Sequence, residues 1–480
     1  MPGRVWKGDM MIKVSYTKAA LLGASALGLA ATFAAPAQAI DLREAVAAAL
    51  RNNPEINQAA ANRQAVEEER RQAQGLYGPR VTVEGSAGIR RLENATRRAL
   101  NIANDTLYPL EADIFGEQLL FDFGRQRSEL SRQAARTDAA ASRVEERSEF
   151  VALNVSRAYF DYLLQQRIVA AAQDNLTFHE RLVGDLREGV RRGSISVADQ
   201  QQAEERQQAA RARLTEAREE QENAAIAFHR VAGVAIGEAT LPAPISGALP
   251  PDVDQAVDAA RANNPRVLEA LADLDAAGAG VRAAEAELAP RISAEGRVRL
   301  GDDIDGFRGR TEDYLARVVL RWTILSGGIN QARVREASAR ETEARFRVHD
   351  VGRGAEADVR TAWNRLESQT RLVSELEQQS RVSDELLASY REQFNVGRRS
   401  LLDVLDAQNT RYNVQVQAET ARLAQLYAQY RVLAATNRLL EALQVDLPSA
   451  ASSSARERYR VRVNAPADAM EPRIPYGPTN

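Results

Sequence analysis

Apolar and polar residues alternate one by one over four stretches of the chain. In residues 80–90 one face carries Val81, Val83, Gly85, Ala87 and Ile89, and the other Arg80, Thr82, Glu84, Ser86, Gly88 and Arg90. In 291–300 Ile292, Ala294, Gly296, Val298 and Leu300 oppose Arg291, Ser293, Glu295, Arg297 and Arg299. Residues 108–120 set Leu110, Ala112, Ile114 and Leu120 against Glu111, Asp113 and Glu117, and 314–322 set Tyr314, Ala316, Val318, Leu320 and Trp322 against Leu315, Arg317, Val319 and Arg321. Period two predicts strands. Between them proline is absent from 110 to 241 and from 291 to 447. Residues 125–192 read as one helix about 100 Å long at 1.5 Å per residue, longer than a compact domain requires.

The order of elements occurs twice. Asn52-Asn53-Pro54-Glu55-Ile56 returns as Asn263-Asn264-Pro265-Arg266-Val267, an offset of 211, and Gly78-Pro79-Arg80-Val81 returns as Ala289-Pro290-Arg291-Ile292. Later matches hold an offset of 204: Gly124 with Gly328, Glu188 with Glu392, Gly193 with Gly397, Asp199 with Asp403. Seven extra residues in the first copy mark a loop near 92–107,. The expected division is repeat 1 over 40–233, a proline-marked linker over 234–251, repeat 2 over 252–446, and a disordered tail over 447–480. Repeat 1 holds a helix at 41–75, strands at 80–91 and 108–121, a long helix at 125–192 and a helix at 197–232. Repeat 2 holds a helix at 252–287, strands at 291–300 and 314–325, a long helix at 329–396 and a helix at 401–443. Asp41 and Asp252 are candidate caps of the first helices.

Composition narrows the class. In 480 residues hydrophobic side chains are 44%, aromatic 5% and charged 27%. This excludes a multi-span helical membrane protein, which needs several apolar runs of about 20 residues. Cysteine is absent, so no disulfide, thiolate metal site or lipid-anchored cysteine is available,. Net charge is −3, which offers no basic field for nucleic acid,. Lysine occurs only at Lys7, Lys13 and Lys18, so nothing downstream supplies a phosphate-loop lysine or Schiff base. Those lysines belong to a segment with a basic start, an apolar run from Ala19 to Phe33 and the small-residue end Ala37-Gln38-Ala39. That pattern is a signal peptide over 1–39 cleaved after Ala39, the alternative being a retained anchor helix. Removing it takes away Arg4, Lys7, Lys13, Lys18 and Asp9 and leaves −6.

In an exported protein the alternating strands take on a second meaning. Their length and period suit a transmembrane β-strand as well as a half-buried soluble sheet. Tyr108, Phe121, Phe123, Tyr314 and Trp322 at the strand ends suit an interfacial girdle,. Four strands cannot close a barrel, and an open sheet edge cannot face lipid. A membrane sheet of this kind must oligomerise, and three copies around a cyclic axis give twelve strands.

The far ends of the long helices carry the candidate chemistry. Gly193 and Gly397 stand where the helices stop, as a residue with positive φ requires. Ser196 with Asp199, and Ser400 with Asp403, have the spacing of a capping box, so both acids have a purely structural reading as helix starters. Asp406 is not explained by capping. It lies three residues beyond Asp403, near the same helix face, and a threefold axis would turn the two positions into stacked acidic rings.

The segments Asp41-Leu42-Arg43-Glu44-Ala45-Val46 with Asn52-Asn53-Pro54, Gln118-Leu119-Leu120-Phe121-Asp122-Phe123-Gly124-Arg125, Arg321-Trp322-Thr323-Ile324-Leu325-Ser326-Gly327-Gly328, and Phe394-Asn395-Val396-Gly397-Arg398-Arg399-Ser400-Leu401-Leu402-Asp403-Val404-Leu405-Asp406-Ala407 carry a resemblance over about 41–446. In that order the chain resembles the TolC-like outer-membrane channel proteins, and the last segment looks most like the branch serving type I protein secretion. The resemblance implies an α+β membrane fold: a homotrimer with a twelve-strand outer-membrane barrel, open to the outside and continued by an α-helical coiled-coil tunnel through the periplasm. It implies a passive exit channel, neither an enzyme nor a cofactor or metal protein, opened by an inner-membrane ABC transporter or proton-driven pump with a periplasmic adaptor. The gate would comprise Asp199, Phe394, Arg399, Asp403 and Asp406, with Gly193, Ser196, Gly397 and Ser400 at adaptor-contacting tips. In the family the Asp199 position pairs with an arginine at the Arg399 position and an aromatic hydroxyl at the Phe394 position; phenylalanine lacks that hydroxyl.

Rival functions keep parts of this picture. A drug-efflux duct would share the fold and differ in cargo. A periplasmic adaptor would have one hairpin and lipoyl-like domains, where this chain has two hairpins and four alternating strands. His179, His229 and His349 are expected on helix surfaces or seams, and Asn94-Ala95-Thr96 in an external loop. Gly352 and Gly354 interrupt the second long helix as a bend, an assembly contact or a tolerated pair.

Overall fold

The computed structural model describes residues 40–463; the expected signal peptide, its cleavage position Ala39 and the last residues of the tail lie outside them. Each repeat opens with two helices. In the first, α1 (Leu42–Asn52) and α2 (Pro54–Gly75) replace the single helix expected over 41–75. Pro54 forces Asn53 out of the helical region, and the Asn53 side chain then accepts the Glu55 N–H at 2.9 Å to start the next helix,. The Asn264-Pro265 pair divides the second repeat in the same way, with the Asn264 side chain accepting from Arg266 N–H at 3.0 Å. Asp41 makes no side-chain cap, whereas Asp252 accepts from Gln255 N–H at 2.8 Å.

The chain continues through β1 (Arg80–Ala87), β2 (Arg90–Arg91), α3 (Ala95–Ala99), β3 (Thr106–Leu107), β4 (Leu110–Phe121), α4 (Arg125–Arg191) and α5 (Val197–Ala232). Repeat 2 follows with α6 (Val253–Asn263), α7 (Pro265–Ala286), β5 (Arg291–Asp302), β6 (Arg310–Arg321), α8 (Ile329–Asn395) and α9 (Leu401–Ala435). Short helices α10 (Leu439–Ala442) and α11 (Ala455–Arg458) complete it. The last strand runs Arg310–Arg321 rather than 314–325, because its ladder with β5 begins at Asp302↔Arg310 and Trp322 turns away to donate to Leu288 O at 3.0 Å. The helix expected over 401–443 ends at Ala435, where Asn437 adopts φ 58 and Arg438 N–H closes on Leu433 O,. At Gly352 and Gly354 α8 runs on unbroken.

The sheet order is β1-β4-β5-β6, all antiparallel. Register places Val83, Ile114, Val298 and Tyr314 in one cross-strand row, and Glu84, Asp113, Arg299 and Asp313 in the next. One face is therefore apolar and exposed through Val81, Val83, Ile114, Tyr314, Val318 and Leu320. The other is a lattice of ion pairs: Arg297 with Asp113 at 2.9 Å, Arg317 with Glu295 at 2.8 Å, and Arg321 with both Glu295 and Glu117. β1 and β6 are open edges.

Near the sheet α4 lies between α2 and α7; farther away it lies between α5 and α9. α8 borders α6, α7 and α9, and packs on no other element to a comparable extent among the described residues. This position decides burial. Of 67 residues in each long helix, α4 buries 28 and α8 only 8. The largest core joins α1, the middle of α4 and the ends of α5 and α9 through Leu42, Val46, Tyr159, Phe160, Phe228 and Tyr430. The linker 234–251 belongs to it, since Tyr159 and Tyr162 hydroxyls donate to Thr240 O and Gly237 O at 2.9 and 2.7 Å.

The tail expected to be disordered from 447 is a strap through the described residues. Buried Asp138 of α4 accepts from the N–H groups of Ala455 and Arg456, and the Arg456 guanidinium bridges Asp138 and Asp275 of α7 at 3.1 and 2.8 Å. Tyr459 adds a ring beneath the Arg70 guanidinium. Serine and proline content suggested disorder; two buried acids needing a cation override it.

Candidate functional site

Two hairpin tips lie at the end of the helices farthest from the sheet. At the first, α4 closes in a Schellman turn: Ser194 N–H bonds Gly189 O and Gly193 N–H bonds Val190 O, both at 3.0 Å, with Gly193 at φ 72,. At the second, Arg398 N–H bonds Gln393 O at 2.8 Å and Gly397 N–H bonds Phe394 O at 2.9 Å, with Gly397 at φ 73. No atom lies within 4 Å of where a Cβ would stand at either glycine. Conformation alone, not space, selects glycine there.

The next helices start as the spacing predicts. Ser196 Oγ accepts from Asp199 N–H at 3.1 Å and its hydroxyl donates to Asp199 Oδ2 at 2.6 Å. Ser400 does the same for Asp403 at 3.2 and 2.8 Å. The Asp403 carboxyl is held below its ordinary range, first by the Ser400 hydroxyl and also by the Arg399 charge. It therefore stays ionised in any physiological medium. Asp406, three residues on, is exposed.

Arg399 sits against its own hairpin. Its Nη1 lies 3.7 Å from Asp403 Oδ2, its Nε donates to Gln393 Oε1 at 3.1 Å, and its guanidinium stacks 4.0 Å from the Tyr390 ring centroid. Within one protomer it thus meets Asp403 rather than Asp199. The equivalent pair in the first repeat is Ile195 and Gly189, where a side chain on Gly189 would strike Ile195 Cγ1 at 2.4 Å. One tip is locked by apolar contact and the other by a polar clasp.

Phe394 packs inward. It contacts Leu401 and Leu405 beside Val183, Leu186 and Ala203 of the first hairpin, and Leu387, Val404 and Ala407 of its own. The ring makes an apolar joint between the two hairpins where the resemblance implies a hydroxyl. Sequence reasoning missed Tyr390 and Gln393. The signal was present: Tyr390 precedes Phe394 by four residues, so both lie on one helix face.

Above the tips a polar layer interrupts the seam. Buried Gln408 donates to Asn175 Oδ1 at 2.8 Å, and Arg213 donates to Asn409 Oδ1 at 2.8 Å. His179 is buried in this seam, and burial, with Arg206 and Arg213 nearby, lowers its pKa to about 4. It is neutral at physiological pH. His229 is exposed and His349 half-buried, and Asn94 caps α3 through Arg97 N–H at 2.8 Å.

Comparison with known proteins gives this geometry its context. A family model described as outer membrane efflux protein matches residues 45–234 and 256–439, one span in each repeat. The outer membrane efflux protein BepC of Brucella suis biovar 1 (strain 1330) is 28% identical over 401 residues, covering 83% of this chain and 85% of that protein. Among solved structures, the CmeC outer membrane channel of Campylobacter jejuni aligns with a TM-score of 0.72 at 14% identity, covering 87% of this chain and 89% of that one. The open-state MtrE outer membrane channel of Neisseria gonorrhoeae aligns with a TM-score of 0.67 at 21% identity, covering 83% and 89%.

Proposed function

The chain belongs to the outer membrane efflux protein family, and on that premise we propose that three copies form a passive exit channel whose periplasmic end is gated by the hairpin tips. The protein sits in the outer membrane and extends through the periplasm. One observation carries the trimer: a four-stranded sheet with an exposed apolar face, an ion-paired opposite face and two unpaired edges. Lipid tolerates no unpaired edge, so β1 of one copy pairs with β6 of the next and twelve strands close around the charged face. The bare side of α8 receives the α2 and α5 side of the neighbouring copy by the same rotation.

At the tips the threefold axis gathers Asp403 and Asp406 into acidic rings, and Arg399 restrains them. The inward Phe394 ties the second hairpin to the first, so the hairpins move together or the joint breaks. Asp199 stands at the start of α5, positioned for an arginine from a neighbouring copy. The exposed turns carrying Gly193, Ser196, Gly397 and Ser400 are the surface offered to a periplasmic adaptor, which with an inner-membrane ABC transporter or proton-driven pump opens the tips. The channel itself performs no catalysis.

Cargo follows the inner-membrane partner. The segment at 394–407 favours type I protein secretion, and the efflux name carried by BepC favours small molecules. A deletion strain separates them: loss of a large polypeptide from the culture medium supports secretion, and drug hypersensitivity with an intact secretome supports efflux. The channel reading itself is tested by fractionation and planar-bilayer recording. An unboiled detergent-soluble trimer that conducts ions supports it, and a monomeric, freely soluble, non-conducting chain overturns it.

A further inference from the structure

At the end of the sheet opposite the tunnel, the loops 88–109 and 303–309 fold together instead of spreading outward. Arg97 is the joint: it is 1% exposed, its guanidinium donates to Gly306 O in the other repeat's loop, and it also donates to Ile102 O at 2.6 Å and Asp105 O at 3.1 Å. Leu107 and Ile304 are buried beside it. Arg90 donates to Ile304 O at 3.3 Å, and Tyr108 N–H to Asp303 Oδ2 at 3.2 Å.

The direction of this fold is fixed by the strand faces. Arg299 and Gly301 lie on the ion-paired face of β5. Asp305 of the loop pairs with Arg299 at 3.1 Å, and Ile304 lies over Gly301, where a Cβ would meet Leu110 O of the paired strand at 2.4 Å and Ile304 Cγ2 at 2.9 Å. At Gly306, with φ 90, a Cβ would meet Leu92 Cδ2 at 2.9 Å, so the two loops touch each other there. The Arg299–Asp305 pair and Ile304 over Gly301 place the second loop against the charged face, not the apolar one.

We propose that the external loops form an inward-folded cap that sets the size limit at the outer mouth of the channel, with Arg97 as its positioning residue. This rests on the trimeric-barrel reading, in which the charged face lines the lumen. It departs from the open outer mouth that the family resemblance implies. Three caps, one per copy, would narrow the exit while leaving small solutes free.

The native chain has no cysteine, so a single reporter is clean. Glu84→Cys places a thiol on the charged face of β1. Intact cells are treated with a small membrane-impermeant maleimide and with a large polyethylene-glycol maleimide. With wild-type loops the small reagent labels and the large one reacts slowly. Adding Arg97→Ala, or deleting residues 93–104, is expected to speed the large reagent about tenfold by local opening while the small reagent's rate stays the same. Equal rates for the large reagent in all three backgrounds overturn the cap. Failure of the small reagent in every background overturns the barrel reading instead. Should Arg97→Ala fail to assemble, the deletion decides.

Discussion

Arg399 Nη1 stands 3.7 Å from Asp403 Oδ2, across the turn that ends one long helix and starts the next. Both groups are half-exposed, so one such contact is worth about 0.2–1 kcal/mol. In the proposed trimer three such contacts would give about 0.6–3 kcal/mol, a lock that a docked partner could release. Arg399→Ser is expected to raise resting conductance about 3–150-fold by that arithmetic. Single-channel recording of the purified trimer checks it, and a variant as tightly shut as wild type removes Arg399 from the gate.

In the proposed trimer Asp403 and Asp406 would form two acidic rings. Clustered ionised carboxylates attract cations and repel anions. Asp403→Ala combined with Asp406→Ala should abolish cation preference and relieve block by a trivalent cation. Reversal potentials under a salt gradient measure this; unchanged selectivity would place the two acids away from the conduction path.

Gly397 is at φ 73 with open space around it. Gly397→Ala should therefore cost about 1–2 kcal/mol through backbone strain alone, loosening the second tip without touching the barrel. Limited proteolysis reads this as faster cleavage near 396–400 with an unchanged trimer band.

Glu149 offers a pH test. Burial pushes its carboxyl up to about 8, partly offset by the Leu440 and Leu439 N–H groups. The folded chain thus holds a proton that the unfolded chain releases near pH 4.3. This contribution is fully present below about pH 4.3 and is lost as pH rises towards about 8. Glu149→Gln should raise the melting midpoint at pH 8 by more than at pH 4, and thermal scans at both values decide. Equal shifts would mean that the carboxyl is ionised in the fold.

Arg456→Ala leaves Asp138 without its cation. Removing one partner of a buried pair costs about 3–5 kcal/mol, and the chain's escape is to release the strap. Protease cleavage in 448–463 should appear in the variant and be absent from wild type under the same conditions. Equal resistance would show that the apolar contacts of Ala451, Ala455 and Val461 suffice.

Much of this architecture was legible because its signals are local. Alternation set the two faces of each strand, and the repeat offset placed both tips and their glycines. The serine caps at 196 and 400 formed as spacing required. What escaped depends on distant partners. Serines and prolines in 447–480 suggested disorder, whereas buried acids on α4 and α7, with apolar contacts of Ala451, Ala455 and Val461, hold its described part down. Arg399 looked like a partner for Asp199; its position against Tyr390 and Gln393 follows from the turn geometry, which no linear pattern states. Arg97, beside Arg98 in a mixed apolar and polar loop, gave no sign that it would be buried beneath a loop from the other repeat.

α4 is covered from within its own polypeptide, whereas α8 stands at an edge. Each polypeptide presents two different open flanks, β1 with α2 and α5 on one side and β6 with α8 on the other, so the proposed assembly would run in a single rotational sense. A fragment carrying only residues 40–233 would occupy a neighbour's bare flank and supply none of its own. Such a truncation would act as a chain terminator, poisoning intact subunits when both alleles are expressed together.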